Sequence, residues 1–164
     1  MIAWWAGRVR QFARYLTGRV TKSERERLGA WLTASQLELF EVMHRADKRH
    51  GLDVVLALRR AGHSDPDLLL AGLLHDCGKG RSLRLWHRIG WSLSVRYDGW
   101  VRRTALRTPT FAIAFATLAA HAERSAELAL RAGCSPRTAD LIRHQAEPID
   151  HELGLALLLA DEAS

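Results

Sequence analysis

The sequence has few of the features that mark β-strands, membrane spans or disulfide frameworks. Alternating runs of β-branched and aromatic residues are almost absent, and Leu, Ala and Arg dominate instead. The most apolar stretch, residues 111–120, is shorter than the roughly 18 residues that a transmembrane helix needs. The only cysteines, Cys77 and Cys134, have no zinc-finger or thioredoxin-like spacing. These absences predict an all-α protein of the reducing cytoplasm, with neither a membrane span nor a secretory leader.

The whole chain has a formal net charge of +6, and its positive charge is concentrated in two segments. Two basic blocks, residues 1–27 and 79–109, alternate with two mildly acidic ones, residues 28–78 and 110–164. The second basic block holds eight Arg or Lys residues against a single acidic residue. Such blocks favour anionic partners, namely phosphates, nucleic acid or an anionic membrane surface, although a solvated Arg-rich surface is the simpler alternative.

Helix-start signals are frequent along the chain. Two Ser-x-x-Glu motifs, which begin at Ser23 and Ser35, predict capping boxes. Asp65 and Ser135 each precede a proline, which predicts an N-cap followed by proline at the first helical position. The predicted helix stops are Gly78 and Gly133. With the apolar spacing, these signals predict helices over residues 4–17, 24–32, 36–47, 49–61, 66–76, 82–105 (broken), 111–132, 136–146 and 151–162.

We interpret residues 36–164 as a single-domain helical bundle and residues 1–35 as a basic and aromatic helical extension. A basic insert with three tryptophans covers residues of about 80–109 in the bundle. The insert could be a lid that brings cations and a stacking surface to a nucleotide, or a basic amphipathic helix that lies on a membrane or a partner. The extension, which mixes Trp4 and Trp5 with arginines, could lie on a membrane or pack on the domain.

Histidine or aspartate stands at an apolar boundary in five of the predicted helices. A lone histidine in such a place is usually a hydrogen-bonded core residue, but a buried carboxylate is costly unless it is paired, neutralised or bound to a metal. Imidazole and carboxylate ligands together suit Mn, Fe, Co, Ni or Zn. The candidate metal ligands are His50, His75, Asp76, His121, His144 and Asp161.

The order of these residues resembles the HD superfamily of metal-dependent phosphohydrolases. The segment LLLAGLLHDCGKG is similar to the His-Asp signature of that family, and LLLADEAS is similar to its final Asp segment. HAERSAELALRAG and IRHQ resemble the extra histidine segments of the two-metal branches. Small bacterial HD proteins that hydrolyse bis(5′-nucleosyl) tetraphosphates symmetrically fit better than cyclic-dinucleotide phosphodiesterases, because no Gly-Tyr-Pro motif follows His144. The resemblance extends from about residue 45 to the C-terminus.

The resemblance implies an all-α fold of the HD type and an enzyme that cleaves a phosphate ester or anhydride, expected to belong to a nucleotide, with a metal-activated water as nucleophile. The implied ligands are His50, His75 and Asp161 for one divalent transition-metal ion, His121 and His144 for a second, and Asp76 between the two. The expected catalytic residues are Asp76 and Lys79. The expected substrate-binding residues, at the start of the basic block, are Lys79, Arg81, Arg84 and Arg88. For Lys79, a role as a helix C-terminal cation is the open alternative.

Two other classes of function stay open at this stage. One is a metal-binding HD module that senses a nucleotide or scaffolds a partner. The other is a peripheral protein that binds an anionic membrane or, less in keeping with the sequence, nucleic acid through its basic blocks. The complete ligand set favours the enzyme, because a scaffold has no physical need for all six residues. The sequence leaves the oligomeric state open.

Overall fold

The computed structural model describes residues 18–81, 83, 85–96, 103–104 and 106–164. These residues form α-helices, one short 3-10 turn and no strand, which confirms the predicted all-α class. The helices are α1 Lys22–Gly29, α2 Ala34–Val42, α3 Arg45–Arg60, α4 Pro66–Leu74, α5 Leu85–Arg96, α6 Pro109–Ala119, α7 His121–Arg131, α8 Pro136–Arg143 and α9 Leu153–Ala163, and the 3-10 turn is Cys77–Lys79. The predicted helix over residues 4–17 lies outside the described residues.

Helix α4 is the central element of the bundle and packs against α3, α8 and α9. Its side chains Leu68, Leu73 and Leu74 are completely buried. The predicted N-cap of this helix is confirmed, because Asp65 Oδ1 accepts hydrogen bonds from two backbone N–H groups of the first turn. The close approach of α3 depends on Gly51, since a Cβ atom there would overlap the carbonyl oxygen of Leu73. The crossing of these two helices therefore sets the position of the neighbouring His50 and His75.

The two capping boxes lie two residues before the predicted ones, so the prediction of Ser23 and Ser35 as caps was wrong. The observed boxes are Thr21 with Glu24, at the start of α1, and Thr33 with Gln36, at the start of α2. In each box the threonine hydroxyl accepts a hydrogen bond from the third helical residue, whose side chain accepts one from the threonine N–H. Both helices consequently begin two residues before their predicted starts.

Thr33 caps α2 and Ser35 does not, so we expect alanine substitutions at these two residues to change stability differently. Thr33→Ala should lower the free energy of unfolding by about 1 kcal/mol, because it leaves the first-turn N–H groups without their cap. Ser35 is exposed in the first turn of the helix, where alanine is the better helix former. Ser35→Ala should therefore leave stability unchanged or raise it slightly. Urea unfolding of both variants measures the difference, and equal losses would show that the box is misplaced.

The predicted single helix over residues 111–132 is wrong, because the structure has two helices, α6 and α7, that meet at Ala120. Neither proline nor glycine marks this break in the sequence. The break lies where the first turn of α7 crosses Gly78, at which a Cβ atom would overlap the carbonyl oxygen of His121. A continuous helix would give His121 a different position, so the break matters for the site described below.

Helices α5 and α6 share a small apolar cluster of their own. Leu83, Ala114 and Leu118 are its buried members, and the ring of Trp91 packs edge-on against Phe115, with ring centroids 5.3 Å apart. None of the helices in the described part of the chain is long and apolar enough to cross a membrane. The basic insert thus contains a helix that is packed through one face onto its neighbour.

Candidate metal centre

Five of the six predicted ligands, which belong to four helices and the residue after one of them, meet at one place. His50 Nε2 lies 2.6 Å from Asp161 Oδ1, which joins α3 to α9 across 111 residues of sequence. His75 Nε2, at the end of α4, lies 3.5 Å from Asp161 Oδ1 and 3.5 Å from Asp76 Oδ1. His121 Nε2, from the first residue of α7, lies 3.7 Å from Asp76 Oδ1. The chain thus gathers three imidazoles and two carboxylates at one place.

Three of these residues have the spacing of a metal site. His50, His75 and Asp76 each offer a ligand atom, and these atoms all lie within 4.8 Å of one another. The group can therefore hold a metal ion. His75 and Asp76 are almost completely buried, whereas His50 is partly exposed, so the group has a closed side and an open side.

The two histidines that face Asp76 are held by backbone carbonyl groups. His75 Nδ1 donates to the carbonyl oxygen of Gly72 at 2.9 Å, and His121 Nδ1 donates to that of Leu118 at 2.6 Å. A carbonyl oxygen only accepts, so Nδ1 of each ring carries a proton, and Nε2 is the atom that can bind a metal once it is deprotonated. Metal-binding histidines are commonly oriented in this way. Both rings therefore point a possible ligand atom towards the same carboxylate.

One buried oxygen of the centre has no hydrogen-bond partner among the described residues, namely Oδ1 of Asp76. The Nε2 atoms of His75 and His121 face it at distances too long for good hydrogen bonds. A buried carboxylate oxygen is costly unless a hydrogen-bond donor or a cation satisfies it. A divalent cation would satisfy all three atoms, so the residues present fit a transition-metal ion.

The electrostatics of the centre also call for a cation. Burial alone would raise the pKa of Asp76, but the Lys79 ammonium and the nearby histidines outweigh burial and hold this pKa well below its usual range. Burial opposes ionisation of Asp161 as well, yet hydrogen bonds from His50 and His75 keep its pKa low. Burial would lower the pKa of His75, and the two carboxylates raise it to about 9. Two ionised carboxylates thus share a largely buried site that attracts positive charge.

The short turn after Asp76 places Lys79 in the centre. Lys79 Nζ lies 2.5 Å from Asp76 Oδ2, and its side chain is largely covered. The turn is fixed from the other side by α7, because Ser125 Oγ accepts a hydrogen bond from the Gly78 N–H at 2.8 Å. Sequence reasoning missed Ser125, a completely buried residue one helical turn after His121.

The predicted helix stop at Gly78 is corrected by this geometry. Helix α4 ends at Leu74, and the glycine with a positive φ is Gly80, at 66°. Gly78 is required for close packing instead, because α7 crosses directly over its Cα atom. The other predicted stop, Gly133, is confirmed, with a φ of 82° just after α7.

His144 is the predicted ligand that the structure does not bring into contact with the rest. It ends α8 and lines a cleft of about 440 Å³ together with Arg137, Leu141 and Pro148. Within the described part of the chain it has neither a hydrogen bond nor an ion pair to the other five predicted ligands. The next residue, Gln145, does reach the centre, since its Nε2 donates to the carbonyl oxygen of His75 at 3.3 Å. A ligand role for His144 stays a prediction.

The three arginines predicted to bind substrate have different positions. Arg81 is exposed just beyond Lys79, and Arg84 lies outside the described residues. Arg88 forms a two-pronged salt bridge with Asp47, with N–O distances of 2.6 and 2.7 Å. Asp47 is buried in the first turn of α3, one turn before His50. Arg88 thus connects the basic insert to α3, a role that the sequence did not indicate.

This salt bridge predicts that Arg88 contributes to stability and Arg81 does not. Arg88→Met should lower the free energy of unfolding by about 3–5 kcal/mol, because it leaves the buried Asp47 carboxylate without its partner. Arg81→Met, at an exposed position, should change it by less than about 0.5 kcal/mol. Adding Asp47→Asn to Arg88→Met should recover part of the loss. Urea unfolding of these variants is the measurement, and similar small effects for both arginines would contradict a structural role for the pair.

Comparison of the chain with models of known families, with curated proteins and with solved structures finds no match. The chemistry of the His and Asp side chains around Asp76 is therefore the basis for a functional proposal.

Proposed function

We propose that this chain is a metal-dependent phosphohydrolase of the HD type, which cleaves a phosphate ester or anhydride of a nucleotide with a metal-activated water. The observation that carries the proposal is the unsatisfied Oδ1 atom of Asp76, buried between two imidazole Nε2 atoms that backbone carbonyls hold in place. In a structural core such an oxygen costs free energy, whereas in a metal centre the ion would satisfy it.

The ligands of the proposed ion are His50, His75, Asp76 and Asp161, and His121 adjoins them through Asp76. When bound, such an ion polarises a phosphoryl oxygen and lowers the pKa of a coordinated water to about 7. Backbone carbonyl groups orient the imidazoles of His75 and His121, so these two rings need little rearrangement to bind a metal.

The open side of the centre is where substrate would approach. The side chains of His75 and Asp76 are only 2% and 3% exposed, whereas that of Asp161 is 37% exposed. His50 and His121 are intermediate. A phosphoryl group can therefore reach the ligands from the side of Asp161, while the packed helices exclude water from the side of His75.

Positive charge close to the centre in the chain supports an anionic substrate. Lys79 lies in the centre itself, and the exposed Arg81 follows two residues later in the same connection. Cations close to a metal site attract phosphates and hold groups that do not react, more strongly at low salt. A nucleotide, with several phosphate charges, fits this distribution better than an uncharged ester.

The proposal is tested by stripping purified protein with a chelator, restoring Mn, Fe, Co, Ni or Zn, and following phosphate release. The substrates are nucleoside mono- and triphosphates, dinucleoside tetraphosphates and p-nitrophenyl phosphate. We expect turnover of at least one nucleotide that depends on added metal and is lost in His75→Ala. His151→Ala, at an exposed histidine outside the centre, is the matched control and should keep full activity. Tight nucleotide binding without turnover would favour the sensing module instead, and neither binding nor turnover would contradict both.

A further inference from the structure

Helix α6 is uncharged on every side, including the side that solvent can reach. Its 11 residues contain no acidic or basic side chain. Ala114, Phe115 and Leu118 are buried on the inner side, whereas Ile113 is 70% exposed. The exposed residues on the outer side, which recur at helical spacing, are Pro109, Thr110, Ile113 and Ala116. Because the outer face of a surface helix normally carries charged and polar residues, we expect this face to have a partner.

Positive charge lies beside the start of this helix. Arg103 and Arg107 are exposed, and neither forms an ion pair with a residue in the described ranges. The surrounding sequence offers them little acidic compensation, because residues 77–122 contain eight Arg or Lys residues and one acidic residue, Asp98. An anionic partner would therefore be attracted to this end of α6.

The same end of α6 presents exposed apolar side chains. Leu106, just before the helix, is 42% exposed, and Trp86 of α5 is 50% exposed. The ring of Trp86 lies 5.9 Å from that of His87, which lies 5.0 Å from the ring of Phe111 near the start of α6. Tryptophan and arginine at the edge of an apolar surface are typical of proteins that lie at a membrane–water interface.

We propose that the exposed face of α6, together with Trp86, Leu106 and the two arginines at its start, is a docking surface for an anionic phospholipid membrane. The apolar side chains would enter the boundary between headgroups and acyl chains, and the arginines would pair with lipid phosphates. A second copy of the chain is a less suitable partner, because each copy would bring the same excess of positive charge to the contact. An anionic bilayer offers an apolar layer and negative charge together.

This surface is independent of the proposed hydrolysis, because none of its residues is a candidate metal ligand. Variants of the surface should therefore keep the metal content and the nucleotide turnover of the wild type in solution. A chain that binds vesicles without hydrolysing any nucleotide would contradict the proposed function and leave the docking surface intact.

The experiment measures co-sedimentation of the full chain with vesicles of mixed phosphatidylcholine and phosphatidylglycerol, and with vesicles of phosphatidylcholine alone. We expect binding to the mixed vesicles only, and weaker binding at higher NaCl concentration, because salt screens the attraction. Arg103→Gln combined with Arg107→Gln should lower the partition constant about 20-fold. Arg59→Gln combined with Arg60→Gln, at exposed arginines in the last turn of α3, is the matched control and should lower it less than about twofold.

A second pair of variants separates contact with the bilayer interior from simple attraction between charges. Ile113→Gln leaves the charge unchanged and should lower the partition constant about fivefold, because the apolar side chain no longer enters the bilayer boundary. Leu56→Gln, at an exposed leucine of α3, is its control and should bind like the wild type. Circular dichroism checks that each variant is folded.

The inference is overturned if the wild type does not bind the mixed vesicles. It is also overturned if the double arginine variant and Ile113→Gln both bind like the wild type, because the membrane contact would then lie elsewhere in the chain. Loss of binding in the arginine variant alone would show attraction to any polyanion and would refute a role for the apolar face. A stable dimer in light scattering that Ile113→Gln makes monomeric would likewise decide against the membrane.

Discussion

Asp76→Asn is expected to remove metal binding and to lower phosphohydrolase turnover by more than about 100-fold. Asparagine has nearly the same shape as aspartate but no charge, so the change isolates the electrostatic role of the side chain. The variant loses the anionic oxygen that His75 and His121 face, and Lys79 loses its buried counter-ion. Metal affinity should fall because a neutral amide is a much weaker ligand for a divalent ion than a carboxylate.

The matched control for this change is Asp140→Asn, at a side chain that is 66% exposed in α8. It should keep the metal content and turnover of the wild type, apart from a small effect on its surface ion pair with Arg143. Metal content, measured by elemental analysis after dialysis, and phosphate release are the two readouts. Full activity in Asp76→Asn would mean that the carboxylate is not part of the active centre.

Gly78→Ala is expected to lower the free energy of unfolding by about 3 kcal/mol. The added Cβ atom would overlap the His121 carbonyl oxygen and lie 2.7 Å from the N and 2.8 Å from the Oγ of Ser125. Two of these are backbone atoms of α7, which cannot rotate away. The helix must therefore shift as a whole and carry His121 away from Asp76.

Gly29→Ala provides the comparison, because nothing lies within 4 Å of a Cβ atom at the end of α1. This change should raise the free energy of unfolding by about 0.5 kcal/mol, since alanine is the better helix former. Urea unfolding and Mn²⁺ affinity should both be measured. If Gly78→Ala unfolds at the same urea concentration as the wild type, the close crossing of α7 over the turn is not correct.

The helix starts that the sequence predicted correctly are those with a single possible cap. Asp65 and Ser135 each precede a proline, which fixes the backbone and leaves one position for the cap. At α1, two hydroxyl residues two positions apart satisfy the same local rule. Thr21, not Ser23, is the observed cap, and its box partner Glu24 also forms a salt bridge of 2.7 Å with Arg49, which is distant in the sequence. A pattern of neighbouring residues contains no information about that partner.

The interruption between helices α6 and α7, just before His121, also depends on a contact between residues that are far apart in the sequence. The sequence there, Ala119-Ala120, favours a continuous helix, and only the crossing with Gly78, some forty residues away in the chain, accounts for the interruption. The salt bridge of Arg88 with Asp47 likewise joins residues 41 positions apart. Charge patterns predicted a basic block but could not indicate which of its arginines has a buried partner.

The residues of the candidate metal centre were more predictable than the residues that support them, because His75 and Asp76 are polar residues directly after an apolar helix. The last four residues of this helix, Ala71 to Leu74, are all buried, so the helix directs His75 and Asp76 into the core. The residues that orient them act through backbone groups, such as the Gly72 carbonyl behind His75. Backbone contacts of this kind leave no trace in residue type, and the sequence could not reveal them.

The proposed function depends on a metal ion bound among His50, His75, Asp76 and Asp161. Anomalous diffraction from crystals grown with Mn²⁺ or Co²⁺, recorded at the absorption edge of the metal, tests it most directly. We expect one strong anomalous peak at about 2.1 Å from His75 Nε2 and from Asp76 Oδ1. A peak elsewhere on the molecule, or none at these side chains in metal-saturated crystals, would contradict it.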